Sequence, residues 1–78
     1  MVKVVVHTRL TPHQEWRAEG RDFTRLPCVG EYLALELGES DWYRVALVVH
    51  AGFHAEYEGE VYAEAVDHVA AVRQATSG

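Results

Sequence analysis

The chain has little of what staples or specialises a small domain. One of its 78 residues is cysteine, Cys28, and two are proline. A lone thiol forms no internal disulfide and no multi-thiolate zinc site. Small secreted domains usually carry such staples, so their lack points to a reducing, cytoplasmic setting. No apolar run approaches the roughly 20 residues that cross a bilayer. Residues 1–7 have too short an apolar stretch, and no small-residue cleavage site, for a secretory leader. The expectation is a cytoplasmic protein with no membrane partner.

Catalytic signatures are missing as well. The six glycines are scattered, and no Gly-x-Gly cluster opens a helix to cradle phosphate. A nucleophile needs a neighbouring base. Ser40 and Ser77 fall in a turn and near the end of the sequence, and Cys28 has only Arg25 close in sequence, a cation able to depress a thiol pKa. Glu56, Glu58, Glu60 and Glu64 alternate along a loop and strand. That places them on a solvated face, not in a pocket that separates their pKa values. The sequence predicts no enzyme and no cofactor.

What remains is one compact unit. Seventy-eight residues make a single domain spanning 1–78, and so short a chain buries only about 60% of its unfolded surface. Apolar residues make up 49% and charged residues 24%, a balance that folds. The net charge of −5 is uneven: residues 1–30 carry +2 and residues 31–78 carry −7. Phosphate backbones are bound through clustered Lys and Arg. The acidic portion therefore argues against nucleic acid.

Alternation supplies the elements. Val2, Val4, Val6 and Thr8 interleave with Lys3, Val5, His7 and Arg9, a β-branched strand. Thr11-Pro12-His13-Gln14 carries a helix N-cap, a first-turn proline and a capping-box Gln. That predicts a short helix over 12–19 or an irregular excursion, against a rival hairpin turning at Glu19-Gly20. After Pro27 and Gly30, residues 31–37 read as a strand with Leu33, Leu35 and Leu37 inward. A turn over Gly38, Glu39, Ser40 and Asp41 leads to a strand over 42–51, with Tyr43, Val45, Leu47 and Val49 on one face. Residues 60–67 form the last strand and 68–75 a short helix.

These elements specify a mainly β domain: a small antiparallel curled sheet or SH3-like barrel of four to five strands with a short C-terminal helix. Leu26-Pro27-Cys28-Val29-Gly30-Glu31-Tyr32-Leu33, followed by Asp41-Trp42-Tyr43-Arg44-Val45, resembles short uncharacterised bacterial and phage proteins with SH3-like barrels. The resemblance covers residues 26–50 and implies a fold without a function.

Two groups of residues carry functional expectations. Trp42, Arg44, Ala46, Val48 and His50 share the second face of their strand. With Tyr62 nearby, they supply the Trp, Tyr and Arg types found where partners dock. Trp42, Arg44, Val48 and Tyr62 are therefore the candidate partner-binding residues, with Trp42 as the end plug of a barrel the plainer alternative. His50, His54 and Glu56 are the candidate metal ligands, an imidazole and carboxylate set suited to zinc or another divalent ion. Polar side chains on an exposed loop are the simpler account of that trio.

Residues 45–49, Val-Ala-Leu-Val-Val, are apolar on both faces, as in strands covered on both sides. Either the C-terminal segment covers Ala46 and Val48, with Val66, Val69 and Val72 packing back as a helix, or a second copy does. The sequence thus predicts a non-enzymatic interaction module or small regulator, acting on another protein or on itself. The alternative is a metal or small-ligand site in the His50/His54/Glu56 loop.

Overall fold

A computed structural model describes residues 1–36, 41–53 and 55–77. The chain is mainly β: a curled five-stranded sheet, a half-barrel, with one C-terminal helix. The strands are β1 (Val2–Arg9), β2 (Arg17–Phe23), β3 (Tyr32–Leu33), β4 (Asp41–His50) and β5 (Gly59–Asp67), followed by α1 (His68–Thr76). They lie in the order β2-β1-β5-β4-β3. The sheet is mixed: β1 runs parallel to β5, and every other pair is antiparallel. An all-antiparallel sheet, the sequence expectation, is corrected at that one pairing.

The most apolar strands take the centre and the charged one takes an edge. Val4, Val6, Val45, Val61 and Ala63 are buried with Leu33, and Val2, Phe23, Leu26, Leu35 and Val48 pack around them. Fully burying a valine side chain is worth about 1.5–3 kcal/mol, so these central valines dominate the stability of a thin core. Leu33 and Leu35 face inward as expected, although β3 itself is only two residues long. Leu37 and residues 38–40 of the expected turn lie outside the described residues, and Asp41, expected to close that turn, opens β4.

Residues 11–25 form neither the expected helix nor a hairpin turning at Gly20. Gln14 N–H donates to the Thr11 carbonyl (3.2 Å), and Leu10 N–H donates to Gln14 Oε1 (2.9 Å). The capping residues thus close a turn, and β2 runs on through Gly20 against β1. Gly20 has a packing reason to be small: a β-carbon there would sit 2.9 Å from Tyr57 Oη. A charged strand such as Arg-Ala-Glu-Gly-Arg-Asp-Phe suits an edge, where charges discourage unwanted pairing.

Strand β4 holds the feature that no alternation reveals. Val45 pairs with Ala63, but Leu47 pairs with Tyr62, leaving Ala46 as an extra residue in a β-bulge. A bulge shifts the phase of the strand by one residue. Tyr43 and Val45 face the core, and beyond the bulge Val48 does so beside Val61, while Leu47 and Val49 turn outward. The helix does not cover this region. Asp67 caps it, accepting from Val69 N–H (3.0 Å) and Ala70 N–H (3.4 Å), but none of its residues is buried. Val69 and Val72 are 51% and 44% exposed.

Candidate partner-binding face

The face of the sheet opposite the core is built in rows, and the strand registers define them. Val5 of β1, Glu60 of β5 and Val49 of β4 form one row; His7, Tyr62 and Leu47 the next; Arg9, Glu64 and Arg44 the third. Val5 and Val49 thus flank the Glu60 carboxylate at one end of the face, and Arg9, Glu64 and Arg44 fill its far end. Leu47 is 52% exposed and Val49 42% exposed. Two outward aliphatic residues on one strand of a small acidic domain form an uncovered apolar patch, of the kind that marks contact sites.

The middle row is braced by ring contacts and ion pairs. His7 stacks on Tyr62 with ring centroids 4.2 Å apart and planes 6° from parallel. Trp16 meets Tyr62 edge-on at 5.2 Å, and the Arg9 guanidinium lies 4.2 Å above the Trp16 ring. His7 Nε2 and Glu60 Oε1 are 2.8 Å apart, and Arg9 Nη2 pairs with Glu64 Oε2 at 3.3 Å. These contacts fix the Tyr62 ring beside Leu47. A rigid aromatic loses little entropy when a partner lands on it. At the far end, Trp42 is held between Tyr32 (6.4 Å) and His68 (5.4 Å).

A cleft of about 200 Å³ opens below the first row. Val5, Val49 and Glu60 contribute to its lining, with Ala51, Phe53 and Tyr57 from the connection after β4. Phe53 stands 75% exposed at its edge. The cleft is mostly apolar, with the Glu60 carboxylate as its acidic group. It would accept an aliphatic or aromatic side chain.

The candidate residues read from the sequence are dispersed by the bulge. Trp42, Arg44 and Tyr62 lie on the outer face, with Arg44 exposed opposite Glu64. Val48 packs half-buried against the core, so Val48 and Trp42 do not share a face. Leu47, Val49 and Phe53 stand on the outer surface in its place. The exposure of Leu47 and Val49 follows from the Ala46 bulge, which the residues of β4 do not announce, whereas Phe53 stands on the connection after β4. His7 and Trp16 were separated in sequence from any candidate, and only the β1–β5 pairing brings them to Tyr62.

Of the candidate metal ligands, His50 lines the cleft, Glu56 pairs with Lys3 at 3.8 Å, and His54 lies outside the described residues. Among the described residues no three His, Cys, Asp or Glu side chains gather as a metal would need. Cys28 is exposed, with Arg25 Nη1 3.7 Å from its sulfur. The same arginine binds Glu31, whose carboxyl also accepts from the Cys28 N–H. Those two contacts, the Arg25 hydrogen bond foremost, hold the Glu31 carboxyl down at about 2. This loop is a braced connection into β3, tied to β4 by Gly30 N–H to Val45 O (2.8 Å).

No helix among the described residues is long and apolar enough to cross a membrane. The chain matches no protein-family model, no curated protein and no solved structure.

Proposed function

We propose that this chain is a non-enzymatic interaction module that docks a protein partner, another protein or its own copy, on the outer face of β1, β5 and β4. The observation that carries this reading is the exposure of Leu47, Val49 and Phe53 around the apolar cleft, beside the braced His7–Tyr62 stack. Interfaces are anchored by a few aromatic and aliphatic side chains in pockets, with a charged rim around them. Here the rim is Arg9, Glu64 and Arg44. Trp42, Arg44 and Tyr62 belong to this surface, whereas Val48 supports it from the core side. The half-barrel is compatible with the SH3-like resemblance, and such small barrels are common carriers of docking faces.

The test compares the wild-type chain with the double variant Leu47→Lys/Phe53→Ser and with a control, Val29→Ser, on an exposed loop elsewhere. Each is purified and analysed by light scattering and by capture from a lysate of its source. The proposal expects a complex, with itself or another protein, that survives in the control and disappears in the folded double variant. A double variant that associates as well as the wild type removes the outer face from consideration.

A further inference from the structure

The two edges of the sheet differ in how they are protected. The β2 edge carries Arg17, Glu19, Arg21 and Asp22, the charged pattern that blunts strand pairing. Among the described residues, the β4 edge is covered by β3 only at Tyr43 and Arg44, with Gly30 and Glu31 bonding to Val45. Beyond the bulge, no described strand pairs with residues 46–50 on the side away from β5. Ala51 N–H points toward β5, since it donates to Glu58 O at 3.1 Å. Backbone groups alternate along an antiparallel strand. The N–H and C=O of Val48 and His50 therefore face outward at this open edge.

We propose that this edge is a self-pairing site: residues 46–50 of β4 dock antiparallel against the same segment of a second copy, joining two half-barrels into one continuous sheet. The inference rests on the interaction-module reading and names its partner. Several observations favour a second copy as the occupant. The open segment carries no aspartate, glutamate, lysine or arginine, so pairing it with itself opposes none of these charges, although the chain as a whole is −5. A two-fold axis at Val48 places Leu47 of one copy beside Val49 of the other on the outer face. The aliphatic patch of each copy then continues across the joint, and cross-strand aliphatic pairs of this kind stabilise sheets. Finally, α1 leaves the segment uncovered, since none of its residues is buried.

Sedimentation velocity from about 1 µM to about 1 mM, a range spanning moderate to weak affinities, reads the association directly. The expected species is a dimer of twice the 8.8 kDa chain mass. His50→Pro deletes an outward N–H while sparing the bonds to β5. Because the axis doubles the loss, dimerisation should weaken by about tenfold or more. Leu47→Lys opposes two new cations near the axis and should weaken it as well. Hydrogen exchange on the wild type needs no variant: the Val48 and His50 amides should slow with rising concentration, while the already paired Leu47 and Val49 amides change less. A chain that stays monomeric throughout overturns the self-pairing, and the outer-face reading is then decided by its own capture experiment. A dimer lost in Leu47→Lys but unaffected by His50→Pro, with unchanged exchange at Val48 and His50, overturns the edge mode and leaves the face reading standing.

Discussion

Introducing lysine at two adjacent positions of β4 separates the bulged strand from a regular one. In a regular strand continuing from Tyr43 and Val45, Leu47 would face the core and Val48 the solvent. The Ala46 bulge reverses this, placing Val48 beside Val61 and Leu47 beside Tyr62 on the outer face. Val48→Lys forfeits part of the roughly 1.5–3 kcal/mol of a buried valine and presses an ammonium group toward a wall of valines with no carboxylate among its core neighbours. Burying an unpaired charge adds several kcal/mol, so the total loss is about 3 kcal/mol or more even after partial escape of the side chain. Leu47 is already half exposed. A lysine stem can lie over Tyr62 with its head in water, so Leu47→Lys should cost within about 0.5 kcal/mol. Urea titrations of dilute protein, followed by tryptophan fluorescence and circular dichroism, measure both. For a domain of this size 1 kcal/mol moves the melting temperature by about 4–8 °C, so Val48→Lys should melt at least about 12 °C lower while Leu47→Lys barely shifts. If Leu47→Lys unfolds the chain and Val48→Lys does not, the bulge and the outer face built on it are wrong.

Three further outcomes follow from single contacts. Gly59→Ala would place a β-carbon 2.5 Å from the Val49 carbonyl oxygen and 3.3 Å from Leu26 Cδ1; the forced shift between β5 and β4 should destabilise by about 1–3 kcal/mol in urea unfolding. Asp67→Ala removes the cap of α1 and should cost the helix about 1 kcal/mol, seen as lost helical dichroism with the sheet signal retained. Glu31 has its carboxyl lowered from the ordinary 4.5 to about 2 by the Arg25 hydrogen bond and the Cys28 N–H. A depressed folded pKa gives stability that is fully present above about pH 4.5 and is lost as the pH falls toward 2; Glu31→Gln should flatten the acid-unfolding profile in that window.

The sequence reveals the fold where local and tertiary preferences agree. Alternating β-branched residues mark β1, and Glu60 to Val66 alternate over a length that matches β5. The alanine content up to Ala75 suits the helix, and Leu33 and Leu35 show their inward face. Strand β2 was hidden because its charged residues and central glycine have low strand preference, and its order comes from pairing with β1. Thr11 to Gln14 carried true capping chemistry, spent on a turn. The parallel β1–β5 pairing joins residues more than fifty positions apart, which no local pattern encodes.

The candidate site was legible in part for the same reason. Trp42, Arg44 and Tyr62 were recognisable as residue types that dock partners, and they share the outer face. Strict alternation predicts Val48 on the outer face, and one extra residue at Ala46 exchanges it for Leu47 and Val49. The double-sided apolar run over 45–49 predicts a strand covered on both faces, but α1 does not supply the second cover, and Leu47 and Val49 stand exposed. The position of that exposed pair depends on the bulge.

Photo-cross-linking tests the outer face most directly. A photoreactive amino acid at position 47, on the patch, is compared with one at position 29, on an exposed loop away from it, in the otherwise unaltered chain. Abundant, discrete adducts from position 47 and few from position 29, whether to a second copy or to another protein, are the predicted result. Equal labelling from both positions, or adducts from position 29 alone, would contradict the assignment of the docking surface to β1, β5 and β4.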